Sequence, residues 1–211
     1  MSLDGMPQFR CIRELKTPIL GILINLVESI LVVCTANICR SPMAERLLQR
    51  EAEQRGVAVE VSSAGVLARQ NMPAASGSVV ALAALGCDLS DHISRPMDEL
   101  AEQADLVLTM EAAHIPAVAH GERALFLRTF TLREITSRAR EVGPRGELTL
   151  EEWIQNLNQG RTAQGVLSST NLDVSDPYGG SSIEFDACAK QLDDLCSRFA
   201  RSMWGSAAPM P

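Results

Sequence analysis

No run of Lys or Arg stands out in this 211-residue chain, and its formal net charge is −7. That argues against a nucleic-acid or an anionic-membrane partner. An acidic protein that handles an anion must therefore build a local positive site. The chain also lacks any Cys-x-x-Cys pair and any Cys/His spacing suited to zinc. Its three histidines (His92, His114 and His120) are scattered, so neither a metal ion nor a cofactor is implied. The six cysteines, Cys11, Cys34, Cys39, Cys87, Cys188 and Cys196, do not read as a disulfide framework in a core-rich chain of this size. They point to a reducing, cytoplasmic compartment. A clean apolar run of membrane length is missing too. Residues 17–34 come nearest but carry Asn25, Glu28 and Ser29 in their middle, where about 20 apolar residues would be needed. Asp4 and Glu14 lie upstream with no small-residue cleavage site after them, which does not fit a signal peptide.

What is present is an ordinary globular composition, 46% hydrophobic and 21% charged, long enough for one large domain or a domain with an insertion. A short helix over 18–27 is expected to lead into a buried strand at 30–34. Ile30 to Val33 form the continuous run typical of a central parallel strand. Ser41-Pro42 reads as a helix start, Ser at the N-cap and Pro at the first helical position, with Gly56 as the stop. A second strand is expected over 57–65, a loop over 66–75 and a helix over 78–86. Pro96 should open a short helix. A third buried strand follows at 105–110, a helix at 111–119 and a fourth strand at 124–130. Phe185, Cys188, Leu192, Leu195, Phe199 and Met203 mark the buried face of a C-terminal helix.

Strands alternating with helices predict a three-layer α/β/α domain with a four-stranded parallel sheet. Ligands of such sheets bind at the carboxyl ends of the strands. The pattern breaks over about 131–171. There 131–140 looks helical, Thr149 and Glu152 form a possible capping box, and Leu150, Ile154 and Leu157 share one helical face. Residues 158–171 look like loop. The organisation read from this is an N-terminal extension at 1–28, a domain at 29–203 with an insertion at about 131–171, and a flexible tail at 204–211. The additions are either packing extension and solvated loop, or a dimer surface or a lid over the site.

The stretch VVCTANICRSP, residues 32–42, carries the chemistry. Cys34 ends the first strand, Arg40 stands six residues on, and the next helix starts at Ser41. The intervening loop, Thr35, Ala36, Asn37, Ile38 and Cys39, can turn successive backbone N–H groups inward around a tetrahedral oxyanion. The helix start adds partial positive charge, and the Arg40 fork can hold two phosphate oxygens. The same surroundings favour the Cys34 thiolate, the nucleophilic form of a cysteine. The predicted reaction is attack of Cys34 sulfur on phosphorus through a phosphocysteine intermediate. A poor leaving oxygen needs a general acid. Asp176, in DVSDPYGGS, can serve, although Asp-Pro and Gly-Gly are also ordinary turn residues. Asp173 is a second acid nearby that local chemistry leaves open.

These motifs resemble the low-molecular-weight protein tyrosine phosphatases. VCTANICRSPMAE matches that family's signature loop, DPYGGS its acid loop, and SSAG, DHISR and DLVLTM fall in the family's order, over about residues 29–130 and 172–203. The resemblance implies Cys34 as nucleophile, Arg40 as phosphate clamp, Asp176 as general acid and then base, and Ser41 as a donor to the thiolate. It implies a left-handed Asn37 whose side chain is tied down by Ser63 and His92. It also implies a reversible Cys34–Cys39 disulfide that shields the nucleophile. The implied partner is a phosphotyrosine-containing protein substrate, with phosphate or another oxyanion in the loop. The chain departs from the family where an aromatic residue commonly stacks on the substrate ring, since VLARQNMPAA has none. It has a single tyrosine, Tyr178, after Asp-Pro. Two other activities belong to similar chains. Phosphoarginine hydrolysis would suit a polar residue in place of Ile38. Arsenate reduction would need a resolving cysteine pair in a mobile segment, whereas Cys188 and Cys196 fall on a regular helix. A non-catalytic phosphate-binding module would be expected to lack Cys34 or Asp176.

Overall fold

A computed structural model describes residues 27–207. The expected helix at 18–27, Cys11 and the last four residues of the tail lie outside the described part or at its edge. Alternation along the first strand, β1 (Glu28–Cys34), sets the layers. Ile30, Val32 and Cys34 enter one apolar cluster, and Leu31 and Val33 enter another on the opposite face. A strand buried on both faces needs helices on both, and this follows from the period of two along an extended chain. β1 is flanked by β2 (Val59–Gly65) and β3 (Leu106–Thr109), and β4 (Thr129–Thr131) completes a parallel sheet in the order β2-β1-β3-β4. The fold is α/β in three layers, as expected.

The larger cluster is covered by α1 (Arg40–Glu53), α2 (Ser76–Ala83) and later helices. The smaller one is covered by α3 (Leu100–Gln103) and Val118 of α4 (His114–Ala119). The expected fourth strand over 124–130 is corrected. Residues Arg123–Leu127 form a helical turn, α5, and only Thr129–Thr131 extend. A short apolar run fits a helical turn or a strand equally well. Here the Phe126 N–H reaches the Glu122 carbonyl at 3.0 Å and Thr129 Oγ1 donates to the Leu125 carbonyl at 2.7 Å, which closes the turn.

Residues 131–171 form α6 (Leu132–Val142), α7 (Leu150–Leu157) and α8 (Ala163–Leu167). The Thr149–Glu152 capping box is present, and Leu150, Ile154 and Leu157 are buried in the main core with Trp153. The stretch expected to be loop thus contains one short helix, started by Thr162 Oγ1 accepting the Gly165 N–H. The long α9 (Ser182–Trp204) buries all six residues of its predicted face. No described helix is long and apolar enough to cross a membrane.

Candidate active site

β1 delivers Cys34 to the carboxyl end of the sheet, between strands that lead to opposite sides, where a crevice forms. The loop that follows turns through Asn37, whose φ of +54° lies in the left-handed region that Asn tolerates better than most residues. The turn carries the Asn37 N–H to within 3.3 Å of Cys34 Sγ, and Ser41 Oγ lies 3.0 Å from the same sulfur. Ser41 is not the N-cap. α1 begins at Arg40, two residues before the expected Pro42, with Cys39 at the cap position and no side chain capping it. The Ser41 hydroxyl has another use, against Cys34 and Asn37. The helix start is left open toward the loop, which is the arrangement that favours an anion.

Asn37 is the hub that holds the loop. Its Nδ2 donates to Ser63 Oγ at 2.8 Å and to Ser41 Oγ at 3.0 Å, and its Oδ1 accepts the Arg95 N–H at 2.9 Å. His92 Nε2 lies 2.7 Å from the Asn37 carbonyl oxygen. His92 therefore holds the backbone of Asn37, while Ser63 and Arg95 hold its side chain. Behind Ser63, Glu45 Oε2 accepts its hydroxyl at 2.5 Å.

Arg40 is almost wholly buried, and a buried guanidinium must be paired. It donates to Glu111, to the Val174 carbonyl at 3.0 Å and to Asp176 Oδ2 at 2.6 Å. Burial works against its charge, but the carboxylates of Glu111 and Asp176 more than offset that and hold it firmly protonated. Burial pushes the Cys39 thiol up to about 11, against a lowering by Ser78. The His114 imidazole is pushed below its ordinary value by burial. Glu111 opposes that shift, Arg40 adds to it, and Asp173 and Asp176 oppose it. Cys34, Thr35, Ile38, Arg40 and Asp176 share one cavity of about 440 Å³, whose outer wall includes Leu67, Arg69, Met72 and Tyr178. Ala36 and Cys39 line it too. Of the two acids left open by local chemistry, Asp176 reaches this cavity. Asp173 instead accepts the Ala112 N–H at 2.7 Å.

Residues 29–143 match the low molecular weight phosphotyrosine protein phosphatase family. The chain belongs to that family. A protein-arginine-phosphatase of Bacillus subtilis (strain 168) is 34% identical over 175 residues, covering 82% of this chain and 95% of that protein. The low molecular weight protein-tyrosine-phosphatase Etp of Escherichia coli (strain K12) is 36% identical over 146 residues, covering 63% and 96%. The tyrosine phosphatase Wzb of Escherichia coli K30, solved in complex with sulphate, superposes with a TM-score of 0.60. It is 27% identical and covers 83% of this chain and 98% of that one.

In this phosphatase domain the sequence reading placed the loop, Ser63, His92 and Asp176 together, and the structure brings them together. It missed Glu45, Arg95, Glu111 and His114. Glu111 had one available signal: it stands two residues past the end of β3, at the same carboxyl end of the sheet as Cys34. Among the described residues, no group of three His, Cys, Asp or Glu side chains is arranged to hold a metal ion.

Proposed function

We propose that this chain is a protein tyrosine phosphatase that works through a phosphocysteine. The observation that carries the reading is the convergence of Cys34, Arg40 and Asp176 on one cavity at the open start of α1. In the proposed reaction Arg40 and the loop N–H groups hold the phosphoryl oxygens. Cys34 sulfur attacks phosphorus, the bond to the phenolic oxygen breaks, and that oxygen takes a proton from Asp176. A water then gives a proton to Asp176 and attacks the phosphocysteine. The S–P bond breaks, releasing inorganic phosphate and returning the thiolate, which Ser41 and the Asn37 N–H are placed to receive. Five described cysteines are free, Cys34 among them, which suits a reducing cytoplasm.

Phosphotyrosine is favoured by the apolar wall that Ile38, Leu67 and Met72 give the cavity. A flat aryl ring fits such a wall, whereas a guanidinium asks for acceptors. Phosphoarginine is the second reading, supported by the Bacillus subtilis relative, which covers more of this chain than the tyrosine phosphatase Etp does. Turnover of matched phosphotyrosine and phosphoarginine peptides separates the two. Faster phosphoarginine turnover rejects the phosphotyrosine reading. Cys34→Ser is expected to abolish hydrolysis of p-nitrophenyl phosphate, and retained activity would reject the mechanism. Asp176→Ala is expected to slow kcat by about 10²–10⁴-fold, most for poor leaving groups, as loss of a general acid does.

A further inference from the structure

Thr35 follows Cys34 in the loop and lines the cavity. Its hydroxyl lies 3.0 Å from Nε2 of His114, which opens α4. His114 is only 5% exposed, and its other ring nitrogen, Nδ1, is buried with no hydrogen-bond partner. The ring is thus held to the site through a single polar contact, and that contact ends on a residue facing the substrate cavity. None of this is needed to explain the reaction drawn above.

We propose that His114 donates its Nε2–H to Thr35 Oγ1 and thereby turns the Thr35 hydroxyl proton into the cavity, where it donates to an oxygen of the phosphoryl group. The inference rests on the phosphate-handling role proposed above. A neutral imidazole has one N–H and one bare nitrogen. With the proton on Nδ1, the ring would bury an N–H that has no acceptor, the costlier kind of orphan. It would also draw the only Thr35 proton away from the cavity. With the proton on Nε2, the hydroxyl accepts from the ring and keeps its own proton free. Burial keeps the ring neutral, with Arg40 from α1 facing it as well as Glu111, Asp173 and Asp176 from the adjoining loops. Thr35 then adds a charge-assisted side-chain donor to the backbone cradle. His114 is a positioning residue that acts through it.

The test is calorimetric titration of inorganic phosphate into the full chain and its variants, with turnover of p-nitrophenyl phosphate measured alongside. Thr35→Val is expected to weaken phosphate binding about ten-fold or more, the usual scale for a hydrogen bond to a charged group. Thr35→Ser should restore it to within about two-fold, since the donor returns. His114→Leu should weaken it by several-fold, and the double variant Thr35→Val/His114→Leu should bind no worse than Thr35→Val alone, because the two act in series. In the parent, 15N shifts of His114 should report a ring protonated at Nε2 and bare at Nδ1, a readout that needs no variant to fold. A Thr35→Val protein that binds phosphate as tightly as the parent, additive losses in the double variant, or a ring protonated at Nδ1 would each overturn the inference while leaving the phosphatase reading intact. A parent that neither binds phosphate nor turns over the ester overturns both.

Discussion

Gly65 shows how tightly single residues define the loop. A Cβ there would meet the Thr35 carbonyl oxygen at 2.7 Å and the Asn37 backbone nitrogen at 2.9 Å, both of them backbone atoms of the loop proposed to hold the phosphoryl group. Gly65→Ala must therefore push the loop away from its place behind Cys34. The expected result is a fall in kcat/KM of about 10²-fold, the scale of a 1 Å misplacement at a reacting centre, together with a stability loss of only about 1–3 kcal/mol from overpacking. Ester turnover and thermal melting of the same variant check it, and near-parental turnover would show that the loop is not packed against Gly65. Cys34, Arg40 and Asn37 were legible in the sequence because they sit together in one loop between a strand and a helix start. Glu45, Arg95, Glu111 and His114 were not: Glu45 and Arg95 lie inside the family motifs, but the role of each of the four comes from contacts with residues 18 to 79 positions away. Cys39 offers a further residue-scale outcome. If peroxide converts Cys34 to its sulfenic acid, closure of a Cys34–Cys39 disulfide requires the Cys39 thiolate, with loss of hydroxide from sulfur. With Cys39 raised to about 11, only about one molecule in 10⁴ carries that thiolate at pH 7. Disulfide formation should accelerate about ten-fold per pH unit between pH 7 and 9, read by acid quench and mass spectrometry. A pH-independent rate would show that Cys39 is not the attacking group.

At the scale of elements, the informative differences between sequence and structure have local physical causes. A Ser-Pro pair signals a helix start by composition, but the Ser41 hydroxyl is drawn to Cys34 and Asn37, so the helix begins at Arg40 without a side-chain cap. The apolar run before β4 is closed into a turn by the bonds from the Phe126 N–H to the Glu122 carbonyl and from Thr129 Oγ1 to the Leu125 carbonyl, and periodicity over five positions does not distinguish the two states. By contrast, the α7 capping box and the α9 stripe were readable because each is a pattern sustained over one element. The segment after β4 is tied to the body by Arg161, which pairs with Glu134 of α6 at 2.7 Å, donates to the Phe126 and Thr129 carbonyls, and lies 4.2 Å from the ring centres of Phe126 and Phe130. Both charges are buried. Arg161→Met removes one partner and leaves a buried carboxylate with only Arg138, at 3.5 Å, beside it. The expected loss is about 3–5 kcal/mol, whereas adding Glu134→Leu should restore much of it, since replacing both partners removes the uncompensated charge. Urea denaturation of the single and double variants decides it. A double variant no more stable than the single one would mean that the carbonyl and ring contacts of Arg161, rather than the ion pair, hold the segment.

Across the whole molecule, the buried titratable groups bound the pH range in which the fold is most stable. His114 sits below its ordinary value of 6.5 through burial, with Arg40 adding to the shift and Glu111, Asp173 and Asp176 opposing it. As pH falls below 6.5 the unfolded chain takes up a proton that the folded ring resists. The unfolded state then binds more protons and stability declines toward acid. Cys39, Cys188 and Cys196 are all raised above 9.0 by burial. As pH rises past 9.0 the unfolded thiols release protons that the folded ones retain, so the folded state binds more protons and stability declines toward alkali as well. These groups together predict a plateau between about pH 6.5 and 9, with each raised thiol contributing up to about 1.4 kcal/mol per pH unit beyond it. Cys196 is the group to remove, because it is fully buried against α1, with its sulfur 3.9 Å from the Ala44 carbonyl and outside the cavity. Urea midpoints, in the presence of reductant, should be nearly equal at pH 7.5 and 9, then fall steeply between pH 9 and 10.5 in the parent and less steeply in Cys196→Ala. Parallel slopes would mean that the Cys196 thiol does not carry its share, and that the alkaline limit of this fold is set by other groups.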